Sequence, residues 1–87
     1  MHEMSVLNNL MNKVTELNAL HGGKRVLSMK LRLGALSHFT PQHFREHFDF
    51  ASRGTVAEGA RLELTQMTDE TDPDAQGVVL ESLEFET

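Results

Sequence analysis

Residues 25–48, "RVLSMKLRLGALSHFTPQHFREHF", decide how this chain folds, because the apolar period changes in the middle of them. Over 25–34, Leu27, Met29, Leu31 and Leu33 alternate with Ser28, Lys30 and Arg32. A period of two predicts a strand with one buried and one wet face. After "GALS" the spacing becomes helical. Thr40 suits an N-cap, and Pro41 falls at the first helical position, where its missing N–H costs nothing. Phe39 and Phe44 stand at the two positions of a hydrophobic staple. Phe44, Phe48 and Ala51 continue the apolar face, and Arg53-Gly54 supply a cation and a glycine to close the helix.

On the N-terminal side, Val6, Leu10, Val14 and Leu17 recur every three or four residues, with Leu7, Met11 and Leu20 beside them. This predicts a helix over 4–21, with Ser5 as a candidate cap and Gly22-Gly23 as its stop. On the C-terminal side, 60–66 alternates again, and 78–85 forms a third strand, least regular at Glu81. "TDETDPDAQG" at 68–77 reads as an exposed acidic loop. The expected order is α-β-α-β-β. Strands 1 and 2, joined through a helix, should run parallel, and strands 2 and 3 antiparallel. The fold class is α+β (mixed α/β): two helices on one face of a three-stranded mixed sheet, in a single domain over 1–87. Lys30, Arg32, Glu63 and Glu84 would cover the other face.

Composition narrows the function. The 87 residues contain no Cys, which removes disulfides, thiolate metal sites and a cysteine nucleophile. No apolar run has the length of a membrane span, and the start is not a signal peptide. A cytoplasmic, soluble protein is expected. Net charge is −5, divided between +3 over 1–57 (seven Lys/Arg, four Asp/Glu) and −8 over 58–87 (one Arg, nine Asp/Glu). An acidic second half without Trp or Tyr argues against a nucleic-acid partner.

Catalysis finds little support. There is no phosphate loop, no dinucleotide fingerprint, and no serine paired with a base at a recognisable spacing. The acids of the second half lie on outward strand positions or in the loop, where nothing raises a pKa toward neutrality. The chain is read as a non-enzyme. His43 and His47 share a helix face, but two histidines without a third ligand are a weak metal signal. His21 suits a helix C-terminus, and His38 falls in the turn after strand 1. The start, "MHEMS" at 1–5, is different. The Met1 amine, the first backbone amides and the His2 imidazole can close fused chelate rings, with Glu3 beside them. A planar nitrogen set suits Ni(II) or Cu(II) better than tetrahedral Zn(II). A histidine at position 2 also predicts that Met1 is retained. The plainer reading of these three residues alone is a helix start, with Glu3 placed for the dipole.

"MHEMS" at 1–5, "LRLGALS" at 31–37, "RGTVAEGARLEL" at 53–64 and "LESLEFE" at 80–86, in this order, resemble the HypA/HybF family of nickel-insertion accessory proteins. The resemblance implies a metallochaperone that binds one Ni(II) at its N-terminus and helps load [NiFe] hydrogenase, or urease in some organisms, beside a HypB-type GTPase. It places the metal on His2, with the Met1 amine and Glu3 as neighbours; Glu3, His38 or water can complete the set. It also implies two helices and a three-stranded sheet, in agreement with the periodicity. The chain departs from the family in one place. The family's zinc ribbon, with two CxxC pairs, stands between strands 2 and 3, where this chain has only loop 68–77. No zinc is expected, and the ribbon's roles come into question: structural zinc, pH or partner sensing, and docking to the hydrogenase large subunit. Two further readings follow: a zinc-free interaction or regulatory module that no longer delivers nickel, and a Cu(II) carrier.

Overall fold

The computed structural model describes residues 2–87, and the side chains from Met4 onward. The elements are α1 (His2–Leu20), β1 (Val26–Leu33), α2 (Pro41–Ala51), β2 (Arg61–Gln66) and β3 (Val78–Phe85). The order and the mixed three-stranded sheet agree with expectation. β1 is central: it pairs in parallel with β2 and antiparallel with β3, giving the order β2-β1-β3. β2 and β3 therefore run in opposite directions, but at opposite edges and never as neighbours.

Leu7, Leu10 and Val14 of α1, Phe44 and Phe48 of α2, and Val26, Met29, Leu31 and Leu33 of β1 form one buried cluster. Both helices thus cover the same sheet face. Each fully buried aliphatic or aromatic side chain stabilises the fold by about 1.5–3 kcal/mol through removal from water. α1 contacts β3, and α2 contacts β2. Arg45 of α2 donates from Nη2 to the Leu62 carbonyl at 3.2 Å, fastening that helix to the β2 edge.

The cap of α2 is as the sequence predicts. Thr40 Oγ1 accepts from the His43 N–H at 3.1 Å, and the Phe39 and Phe44 rings meet edge to face at 5.3 Å. The helix ends earlier than "RG": Ser52 is the C-cap, and its N–H bonds the Phe48 carbonyl at 2.8 Å. Arg53 instead lies over the Phe50 ring, 5.5 Å from its centroid. α1 begins at His2, two residues before the expected start, so Ser5 lies inside the helix and caps nothing. Gly22 and Gly23 take positive φ (80° and 74°) and end it as expected. Asn18, buried on the inward face, clasps this end: its Nδ2 donates to the Lys24 carbonyl, and its own carbonyl accepts from Gly23. Leu20, placed beside the apolar stripe by sequence, is 79% exposed.

Two register shifts correct the strand assignments. Between Val26 and Ser28, β1 advances two residues while β3 advances one, from Phe85 to Glu84. Leu27 is the extra residue. Its side chain is 46% exposed, and Val26 takes the inward position in its place. Between Lys30 and Leu31 the imbalance reverses, and Glu81 is the extra residue of β3. That bulge switches the inward phase from Val78 and Leu80 to Leu83 and Phe85, which explains the irregularity at Glu81. Glu81 pairs with Arg32 at 3.4 Å.

The acidic loop is ordered by its own carboxylates. Asp69 Oδ1 accepts from the Thr71 N–H at 2.9 Å and from its hydroxyl at 2.6 Å; Asp72 Oδ1 accepts from the Asp74 N–H at 2.8 Å. The two Thr71 bonds hold the Asp69 carboxyl below the usual aspartate range. Although most of the loop is exposed as expected, Ala75 is buried against the turn after β1. The Ala75 carbonyl accepts from Leu36 N–H at 2.7 Å, and Gly77's from Gly34 N–H at 2.9 Å. A Cβ on Gly34 would lie 2.2 Å from the Ala75 oxygen, so glycine is required by this close approach.

Candidate metal centre

Of the predicted ligands, His2 and Glu3 belong to the start of α1. Met1 lies outside the described residues, as do the side chains of His2 and Glu3; the backbone of His2 and Glu3 forms the first turn of α1. The first N–H groups of a helix have no intrahelical partner, so amide nitrogens at this end are not committed to the helix. Two histidine-bearing grooves are lined by residues of the early part of α1, Val6 in one and Met4 in the other.

In the first, Val6, Leu36, Ser37, His38 and Gln76 line a groove of about 270 Å³. Positions 2 and 6 share a helix face, so the groove lies one turn along α1 from His2. His38 is exposed and holds φ at 67°, the one non-glycine with positive φ among the described residues. Such a conformation is costly for a residue with a Cβ. Its neighbours hold it there: Ser37 is buried and its Oγ accepts from Phe39 N–H at 3.3 Å, while the Phe39 ring is sunk into the core. Ser37 N–H also closes a turn onto the Gly34 carbonyl at 3.0 Å.

Met4 of α1 lines a second groove with His43, Glu46, His47 and Phe50 of α2. His43 and His47 are half-buried, with their Nε2 atoms 2.8 Å apart and ring centroids 4.5 Å apart. The sequence placed both on one face beside the Phe44–Phe48 stripe. The nearness of α1's first turn is set by tertiary packing and has no local signal. His21, expected only to favour a helix C-terminus, stacks on Phe85 of β3 at 4.8 Å and 21°. Among the described residues, no three His, Cys, Asp or Glu side chains converge to hold a metal.

Comparison with known proteins matches residues 1–72 to the HypA model, described as hydrogenase/urease nickel incorporation, metallochaperone. The chain is similar to a hydrogenase maturation factor HypA of Methylocella silvestris, 42% identical over 64 residues, covering 74% of this chain and 57% of the relative. The HypA of a Roseiflexus species is 42% identical over 67 residues (77% and 54%), and that of Rhizobium leguminosarum bv. viciae 36% over 70 residues (80% and 62%). The chain thus spans little more than half the length of these curated relatives. No helix among the described residues is long and apolar enough to cross a membrane. With residues 1–72 covered by one family model, from the helix start through both strands of the parallel pair, this chain belongs to the HypA family of hydrogenase and urease nickel-incorporation proteins.

Proposed function

We propose that this chain is a nickel metallochaperone that binds one Ni(II) as cargo through the Met1 amine, the adjoining backbone amides and the His2 imidazole. Glu3, His38 or water completes the set. The observation that carries the reading is the family match beginning at residue 1, which includes "MHE". The donor chemistry fits: amine, amide and imidazole nitrogens suit Ni(II) in a planar arrangement. The free amide positions of a helix start and the neighbouring His38 groove support it. The chain acts by holding and handing over the ion, in the cytoplasm, beside a HypB-type GTPase, toward [NiFe] hydrogenase or urease. It carries out no turnover of its own.

Loop 68–77 stands where the family's zinc ribbon would be, in a single domain over 1–87, and the protein needs no zinc. Support comes from how the loop is closed. Met67 N–H bonds the Leu33 carbonyl at 2.8 Å and Gly34 N–H bonds the Gly77 carbonyl at 2.9 Å. Both ends therefore meet at the end of β1, so a segment between them can be gained or lost while the sheet stays intact. Docking to the hydrogenase large subunit then falls to surfaces other than a ribbon.

Calorimetric titration with NiCl₂ tests the site. The untagged protein should bind one ion tightly, and His2→Ala or an N-terminal extension should abolish that binding. Equal binding by the untagged protein and His2→Ala would overturn the reading.

A further inference from the structure

We propose that His43 and His47 form a second, separate metal site on α2, for a divalent cation that takes imidazole nitrogen ligands, Ni(II) or Cu(II). The residues are four apart on a helix, so their side chains leave the same face one turn apart. Both rings turn their Nε2 atoms toward each other, 2.8 Å apart. Two imidazole nitrogens at ordinary bond lengths of about 2.0–2.1 Å are about 2.9 Å apart at a right angle and about 3.3 Å apart at the tetrahedral angle. The observed separation is that of a hydrogen bond between the two rings, and it already lies close to the span that one ion would need. Imidazole donors suit Cu(II) and Ni(II), and the affinity order puts Cu(II) first.

The pair is held rather than floppy. Both rings are half-buried, and the Phe39 ring, which is 2% exposed, contacts each: 5.7 Å to His43 and 6.2 Å to His47. Phe39 is itself fixed by its edge-to-face contact with Phe44. A ligand pair whose rotamers are already limited by packing loses less entropy on taking up an ion. Without metal, an Nε2–H on one ring donates to the bare Nε2 of the other. With metal, both Nε2 lone pairs point to the ion: the donor ring's proton shifts to its Nδ1, and the other ring already carries its proton there. Met4, Glu46 and Phe50 line the same groove. Since no third His, Cys, Asp or Glu among the described residues completes the set, the remaining positions are open to water or an incoming ligand. The site is therefore one of modest affinity and easy exchange.

This inference does not rest on the reading of residues 1–3, and its test is run so that the two fail separately. NiCl₂ is titrated into the His2→Ala protein, with binding followed by calorimetry and by proton–nitrogen spectra of the imidazoles. One weak site should remain, and paramagnetic broadening should strike His43 and His47 before His21 and His38. Adding His43→Gln and His47→Gln should weaken that remaining site by about 10–100-fold or more, the range seen when even outer-shell partners of a metal are removed. CuCl₂ should bind more tightly than NiCl₂ at this site. Unchanged nickel affinity on removing both histidines overturns the proposal, as does an absence of binding in His2→Ala. The spectra need no α2 substitution, so broadening that spares His43 and His47 overturns it even if the doubly substituted chain does not fold.

Discussion

Gly34→Ala should undock the acidic loop. The added Cβ would lie 2.2 Å from the Ala75 oxygen, 2.5 Å from its carbonyl carbon and 2.6 Å from the Asp74 oxygen. A carbon–oxygen contact needs about 3.3 Å, so backbone must move by about 1 Å. No flexible side chain can give way, because all three atoms are main chain. Overpacking of this kind costs about 1–3 kcal/mol. If the loop moves off instead, it gives up the Leu36–Ala75 and Gly34–Gly77 hydrogen bonds, each contributing a net ~0.5–1.5 kcal/mol. The two routes have similar cost. Alanine also restricts the unfolded chain, which offsets about 0.4–1 kcal/mol. A net loss of about 1 kcal/mol remains. With a urea slope of about 1 kcal/mol/M for a chain this short, the unfolding midpoint should fall by roughly 1 M. Gly77→Ala is the matched control: it lies at the other end of the same hydrogen bond, and its nearest atom, the Asp74 oxygen, is 3.9 Å away. It should be neutral or slightly stabilising. Equal midpoints for the two variants would refute the reasoning, because the clash is the one feature that separates them.

Leu31→Ala should cost about 2–5 kcal/mol, whereas Leu27→Ala should change stability by less than about 0.5 kcal/mol, because the bulge turns Leu27 outward; chemical denaturation compares them. Thr40→Ala should cost about 1 kcal/mol by leaving the His43 N–H without its cap, and Thr40→Ser should restore most of it in the same assay. The folded-state pKa of Asp69 is lowered, so its contribution is present above the unfolded aspartate value and is lost as pH falls through the lower folded value. Carbon-detected titration should show Asp69 protonating at lower pH than an ordinary aspartate, and Thr71→Val should raise its pKa by removing the hydroxyl donor.

Sequence alone determined what depends on neighbours along the chain. The change of period between 25–34 and 41–51, the Thr40-Pro41 cap, the Phe39–Phe44 staple and the Gly22-Gly23 stop are all settled within a few residues. Backbone hydrogen bonding and side-chain direction repeat locally, so each could be read before any tertiary contact was known. The start "MHEMS" offers a nitrogen-donor set by composition alone, and the pairing of His43 with His47 on one face follows from helix geometry.

Tertiary structure decided whatever depends on a partner distant in sequence. Strand order is one case: nothing between Gln66 and Val78 reveals that β3 crosses to the far edge of β1. The bulges are another. An alternating strand reads the same with or without an extra residue until its partner's register is known, so alternation points Leu27 inward where Val26 takes its place. The sites follow the same division. That Phe39 fixes both α2 imidazoles, that Met4 brings the start of α1 beside them, and that His38 sits in a left-handed turn by Val6 all require the core to be packed. Ligand types are local chemistry, but their distances and restraint are set by burial of the apolar faces that carry them.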